Sequence, residues 1–204
     1  MSEPVGAPSV EGHGPVHERL ASLAARLRTN EPRPSPAGRH RWEAATALVL
    51  APGLADVEVA IIERTRRPGD RWSGQLALPG GRREVTDPDL ATTAARETAE
   101  EVGLELGSAA ALVAEHRARI RPGVVACYAF VLPDRPPLRP QPTEVASAWW
   151  VPLTTLTDPA NATTTRHRGV SFPAIDLDGR ALWGLTLLTL ERFATTVGLE
   201  LATG

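Results

Sequence analysis

The spacing of apolar positions changes several times along this chain, and each change marks an element. In the stretch 16–27 the residues Val16, Leu20, Leu23, Ala24 and Leu27 recur every three or four positions, the repeat of an amphipathic helix. Pro32, Pro34 and Pro36 end it. The runs 44–50 and 57–63 are short and apolar on either side of Pro52-Gly53, which predicts two strands joined as a hairpin. A further short strand is predicted over 74–78, running into Pro79-Gly80-Gly81. The helical repeat returns over 89–102 and stops at Gly103. Strands are predicted again at 112–116, 124–132 and 145–151, with a Pro/Arg-rich loop at 134–142, and a second amphipathic helix over 182–197 closes the pattern. This order predicts an α/β fold, a mixed β-sheet sandwiched between α-helices in α/β/α layers. Residues 1–14, rich in Pro and Gly, are expected to be a disordered tail. Residues 15–40 read as the N-terminal helix and a Pro-rich linker, and 41–204 as the main domain.

Composition narrows the chemistry. The chain has 204 residues and a net charge of −2, so it does not bind nucleic acid through bulk positive charge. Its single cysteine, Cys127, excludes a disulfide framework and a cysteine-cluster zinc site, and its apolar strand context predicts a buried thiol. All 22 basic residues are Arg, which excludes a Walker lysine and a Schiff-base lysine. No apolar run approaches the roughly 20 residues that a bilayer requires, and Met1-Ser2-Glu3-Pro4 has neither a basic start nor an apolar run. The expected setting is the cytoplasm, with no membrane and no nucleic-acid partner.

The helix at 89–102 is where chemistry becomes readable. At 100° per residue, Ala91, Ala94, Ala95, Thr98 and Val102 form one small-residue face suited to a sheet. Glu97, Glu100 and Glu101 fall on the other side within an arc of about 100°. Arg96 lies one turn from Glu100. Carboxylates this close repel by a few tenths of a kcal/mol per pair, which an acidic surface open to water tolerates. A hard divalent cation turns the same repulsion into attraction, and Mg²⁺ or Mn²⁺ favours carboxylates, waters and substrate phosphates. Isolated His116 and His167 offer no competing set.

Upstream, Leu78-Pro79-Gly80-Gly81 is a strand running into two glycines, and fifteen residues after Gly81 begins Arg96-Glu97-Thr98-Ala99-Glu100-Glu101-Val102-Gly103-Leu104. This combination resembles the Nudix box, G-x5-E-x7-R-E-U-x-E-E-x-G-U. Every charged and glycine position of the second half is matched, with Thr98 at an aliphatic position. The gap from Gly81 to Arg96 is one residue longer than the family's, which makes Asp87 the stand-in for the first glutamate. A second resemblance, to the coenzyme A pyrophosphatase branch, rests on Arg64, Gly74-Gln75 and Pro79-Gly80-Gly81, with Ser73 where His is common and Leu78 where Phe is common.

The resemblance implies a Nudix fold and divalent-metal-dependent hydrolysis of a nucleoside diphosphate linked to a group X, most readily coenzyme A or a related nucleotide. It implies metal ligands at Glu97, Glu100, Glu101 and the Gly81 carbonyl, with Mg²⁺ or Mn²⁺ as cofactor. Arg96 is expected to hold a glutamate in place by a charge-assisted hydrogen bond. Glu100 and Glu144, the latter just before the strand at 145–151, are both candidates for the general base. Arg64, Arg71, Arg119 and Arg121 are phosphate-clamp candidates, and Trp72 could stack on a nucleobase or cover core. Of the adjacent Trp149 and Trp150, one is expected to face inward and the other outward or into a cleft. A damaged nucleoside triphosphate, ADP-ribose or a nucleotide sugar is the alternative substrate. A nucleotide-sensing module without catalysis is the alternative of another class, disfavoured by the retained box carboxylates. A homodimer fits the family's habit.

Overall fold

The computed structural model describes residues 14–29, 42–69, 72–118 and 123–203. The tail expected before residue 14, the prolines at 32–36, and Arg71, Arg119 and Arg121 lie outside the described residues.

Helix α1 (Pro15–Thr29) precedes two long strands, β1 (Trp42–Pro52) and β2 (Val57–Arg64), which pair as the antiparallel hairpin expected of their turn. β3 (Leu76–Ala77) and β4 (Gly80–Arg82) follow, then α2 (Leu90–Val102), β5 (Ala111–Ala118), β6 (Gly123–Val131) and β7 (Val145–Pro152). A short helix α3 (Leu153–Thr157) and a single 3₁₀ turn lead to β8 (Ala162–His167), β9 (Val170–Leu177) and β10 (Arg180–Trp183), and α4 (Gly184–Val197) completes the order. The large sheet runs β3-β2-β1-β6-β5, with β4 on β1 and β7 on β2. Only the β1–β6 pair is parallel, so the sheet is mixed, as the pattern predicts.

β1 is shared along its length. Its first half, Ala44–Thr46, pairs with β4, while Leu50–Pro52 pair with β2. Between the two the backbone is satisfied by Pro79, whose carbonyl accepts from Ala47 N at 2.8 Å. The hairpin strands therefore spread apart and admit the half-buried Gly80-Gly81 against β1.

Alternation of side chains sorts the sheet into two cores. On one face Leu48, Leu50, Val57, Val59 and Ile61 meet Leu20, Leu23 and Leu27 of α1 and Leu187, Leu190 and Phe193 of α4. On the other Ala45, Ala47, Val49, Ala60 and Ile62 meet Leu90, Ala94 and Val102 of α2. Trp149 packs on the first cluster and its neighbour Trp150 on the second, where the indole donates to Pro136 O at 2.8 Å. Helix α1 is further tied down by Arg19, which donates to buried Asp56; the same carboxylate accepts from Val57 N and Thr154 N, both at 2.7 Å. Cys127 is buried, and burial raises its thiol pKa to about 12.

Two expectations are corrected, and one small sheet is added. The strand predicted over 74–78 is only Leu76–Ala77, because Gly74 turns at φ 72° and proline at 79 has no N–H for a ladder. The last helix starts at Gly184, not 182: Trp183 is extended, at φ −151° and ψ −176°, and belongs to β10. The three-stranded sheet β8–β10 lacks an apolar signature in its first strand, Ala-Thr-Thr-Thr-Arg-His, and was not predicted. No helix among the described residues is long and apolar enough to cross a membrane.

Candidate active site

Helix α2 begins with Asp89, whose side chain accepts from Thr92 N at 2.7 Å, and ends at Gly103, left-handed at φ 68°. Its C-terminal carbonyls are not left to water. Arg139 N donates to Val102 O at 2.8 Å and Gln141 N to Glu101 O at 2.9 Å, so the Pro/Arg-rich loop closes the helix end. That loop delivers Glu144 to the same place, its N–H bonded to Gln141 O at 2.9 Å.

The helical wheel needs one correction. Glu101 does not share the water-facing side with Glu100: it is only 2% exposed, on the packed face with Thr93, Ala94, Thr98 and Val102. Its carboxylate accepts from Gly80 N at 2.8 Å. Burial pushes its pKa up to about 7, opposed by that N–H and by the charge of Arg64, and reinforced by Glu97 and Glu144. Glu97 is raised too, chiefly by burial, with Glu100 and Glu144 adding to it and Arg96 opposing. The structure thus brings Glu97, Glu101 and Glu144 within electrostatic reach of one another beside Arg64.

The glycines explain how the carboxylates come so near the sheet. A Cβ on Gly81 would overlap the carboxylate of Glu97, and one on Gly80, at φ 148°, would overlap the Ala45 carbonyl oxygen. A side chain at either position would push β4 away from β1 or Glu97 away from β4.

Arg96 organises the outer side of the helix. It grips Asp87 in a fork, Nε to Oδ1 at 3.1 Å and Nη2 to Oδ2 at 3.0 Å, and also reaches Glu97 Oε1 at 3.0 Å and Glu100 Oε2 at 3.1 Å. Asp87 is 3% exposed and accepts in addition from Thr93 Oγ1 and Glu84 N, both at 3.0 Å. The Arg96 hydrogen bonds hold the Asp87 carboxyl below its ordinary pKa, and Asp87 in turn raises that of Arg96. Glu100 is thereby drawn toward Arg96 and is 60% exposed.

Two groups in this network had no spacing to announce them. Glu43, at the start of β1, is 6% exposed and pairs with Arg83 at 3.5 Å, and Arg83 Nη2 donates to Asp87 O at 2.8 Å. They anchor the longer segment between Gly81 and α2. Trp72 is 59% exposed, open rather than covering core. His116 lies away from the carboxylates, bonded to Thr189 Oγ1 at 3.0 Å, its pKa lowered by burial and Arg192.

The donor set fits a hard divalent ion in one respect and limits it in another. Glu97 and Glu101 are closely placed carboxylates whose charge burial disfavours, so a cation relieves both. Yet no three His, Cys, Asp or Glu side chains among the described residues are gathered closely enough to hold a metal ion by themselves. Such a site needs waters and substrate phosphates to complete it, the habit of Mg²⁺.

Comparison with known proteins gives the family. Residues 40–171 match the NUDIX domain family. Among curated proteins, an uncharacterised protein of Schizosaccharomyces pombe is 40% identical over 107 residues, covering 48% of this chain but only 32% of that protein. The human mitochondrial coenzyme A diphosphatase NUDT8 is 30% identical over 200 residues, covering 90% of this chain and 77% of its own length. Among solved structures, a MutT/nudix family protein from Enterococcus faecalis aligns with TM-score 0.57 at 18% identity, over 89% of this chain and 71% of that one. A MutT NUDIX hydrolase from Burkholderia pseudomallei aligns with TM-score 0.50 at 21% identity, over 74% and 96%.

Proposed function

This chain belongs to the NUDIX domain family, whose members hydrolyse phosphoanhydride bonds, and from that premise we propose that it cleaves the diphosphate of a nucleoside diphosphate linked to X, with coenzyme A as the first candidate. The observation that carries the reading is the seating of Glu97 against Gly81 and of Glu101 on Gly80 N, with the charges of Arg64 and Glu144 acting on Glu101. The choice of coenzyme A is supported by the similarity to NUDT8 across most of both chains and by Arg64, Gly74-Gln75 and Pro79-Gly80-Gly81.

Glu97 and Glu101, with the Gly81 carbonyl and Glu100 at the margin, would hold Mg²⁺ or Mn²⁺. Bound there, the ion would neutralise charge on the diphosphate and make water more acidic. Arg64, whose charge acts on Glu101, is suited to a phosphate oxygen, since a guanidinium binds phosphate in a fork. Trp72, open to solvent, is available to the nucleobase or the X group. Arg96 acts inside the protein: by holding Glu97 and Glu100 against Asp87 it fixes where the carboxylates stand.

For the general base we choose Glu144 over Glu100. The charge of Glu144 acts on both Glu97 and Glu101, whereas Glu100 is held by Arg96 on the outer side. In the reaction a water oxygen bonds to phosphorus, its proton passes to Glu144, and the bridging P–O bond breaks to leave a nucleoside monophosphate and phospho-X. A base in this role contributes about 10²–10⁴ in rate.

The test is an assay with Mg²⁺ and with Mn²⁺ over coenzyme A, ADP-ribose, dinucleotides and oxidised nucleoside triphosphates, with products separated by chromatography. The reading predicts cleavage of coenzyme A to an adenosine bisphosphate and phosphopantetheine, abolished by chelation. Faster cleavage of nucleotides lacking the pantetheine arm would replace the substrate. No turnover of any member with either ion would overturn the enzymatic reading.

A further inference from the structure

Glu144 lies in a turn whose own backbone offers it little anchorage: its N–H and that of Val145 both bond to Gln141 O, at 2.9 and 2.8 Å. Most of what holds this turn comes from across the site, from the segment that follows β2. Thr65 N donates to Glu144 O at 2.9 Å, and Thr65 Oγ1 to Pro142 O at 3.0 Å. Arg67 reaches over with its guanidinium, donating through Nη2 to Thr143 O, and the same nitrogen lies 3.9 Å from Glu144 Oε1. Arg67 is itself held from behind, where its backbone N–H donates to Ser73 Oγ at 2.6 Å.

These contacts are ill suited to stabilising the fold. The Arg67 and Glu144 side chains are 49% and 52% exposed, and ion pairs this open contribute at most about 1 kcal/mol. What they fix is direction. The guanidinium holds the main chain of Thr143 and lies beside the Glu144 carboxylate, so it ties down the turn from which the charge of Glu144 acts on Glu97 and Glu101. Fixing the site of proton transfer within a fraction of an ångström is where a weak contact has a large effect on rate.

We infer that Arg67 is a positioning residue for Glu144, and that Ser73 supports it by fixing the Arg67 backbone. The segment carrying Trp72, Gly74 and Gln75 thereby sets the geometry of water activation as well as facing substrate. The inference rests on the reading of Glu144 as the base.

Steady-state kinetics on the turned-over nucleotide and hydrogen exchange at the Thr65 amide test it together. R67A should lower kcat about tenfold or more with KM within about twofold of wild type, the size of a misplaced base. R67K, keeping a charged donor toward Thr143 O, should recover most of the loss, and S73A should give a smaller loss of the same kind. R67A combined with E144Q should be no slower than E144Q alone, because both remove the same function. Thr65 N donates to Glu144 O, so its exchange should quicken in R67A and not in E144Q. A raised KM at unchanged kcat would make Arg67 a substrate contact, and multiplicative losses in the double variant would make it independent of Glu144; either overturns the inference. If E144Q leaves kcat intact, the base assignment fails and this inference with it. If the wild type turns nothing over, the functional reading fails, while unchanged Thr65 exchange in R67A would by itself refute the tether.

Discussion

The two faces of the large sheet are built from different materials. The α1/α4 face is packed chiefly by Leu, Ile, Val and Phe, beside Ala111, Ala114, Ala129 and Ala202, with Phe193, Leu190 and Leu27 almost fully buried. The α2 face includes five buried alanines, Ala45, Ala47, Ala60, Ala94 and Ala126, and buries Thr93, Thr98, Glu101 and Asp87 beside them. Small residues let α2 lie close to the sheet, and that closeness carries Glu101 onto Gly80 N and Glu97 against Gly81. One face stabilises through apolar area, and the other gives up some of that area to keep carboxylates where water cannot easily solvate them. The face proposed to be active is thus the one whose packing is electrostatically costly.

Substitutions on each face should separate the two. E101Q removes a buried charge and one proposed metal ligand. It should lower kcat by about 10²–10⁴ in an Mg²⁺ assay while the far-ultraviolet circular dichroism of the fold persists. F193A on the opposite face should do the reverse, costing about 3–5 kcal/mol in denaturant unfolding while kcat of the folded fraction stays near wild type. If F193A reduced kcat as much as E101Q does, the faces would not be separable.

D87N sits between these two. It takes the charge from the Asp87–Arg96 fork while Arg96 keeps Glu97 and Glu100, so unfolding should become easier by about 2 kcal/mol, and Arg96, with one anchor fewer, should hold Glu97 less well, lowering kcat moderately. Because the folded pKa of Asp87 is depressed, its stabilisation is present above the unfolded value and is lost as pH falls through the lowered one. D87N should therefore flatten the acid limb of a stability-versus-pH curve.

Glu101 has the opposite sign and the smallest effect. Its folded pKa of about 7 stands above the ordinary 4.5, so its contribution is full below the unfolded value and is lost as pH rises toward 7. Metal-free wild type should melt at lower temperature at pH 7.5 than at pH 5.5 by more than E101Q does, read by calorimetry. Equal pH slopes in the two proteins would contradict the burial of that charge.

Much of this architecture can be read from the chain, and what escapes does so for physical reasons. Helix α2 is marked at both ends by Asp89 and Gly103, and β1 and β2 by the turn between them, because caps and turns are local signals. The box residues Arg96, Glu97, Glu100 and Glu101 can be read for the same reason. The burial of Glu101 escapes because the wheel groups residues by polarity, and only the approach of β4 decides that a glutamate turns inward. β8 escapes because an edge strand of threonines has no buried face to create alternation, and β10 because Leu182 and Trp183 continue the apolar run of α4. Arg67 escapes because its partners, Thr143 and Glu144, lie more than seventy residues further along the chain.

Whether the α2 face holds a divalent cation through Glu97 and Glu101 is tested most directly by a Mn²⁺ titration followed by electron paramagnetic resonance. Wild type should remove free Mn²⁺ signal in a saturable way at neutral to mildly alkaline pH, and a variant with both Glu97 and Glu101 changed to Gln should not. Equal loss of free Mn²⁺ signal in the two proteins, or none in wild type, would contradict it.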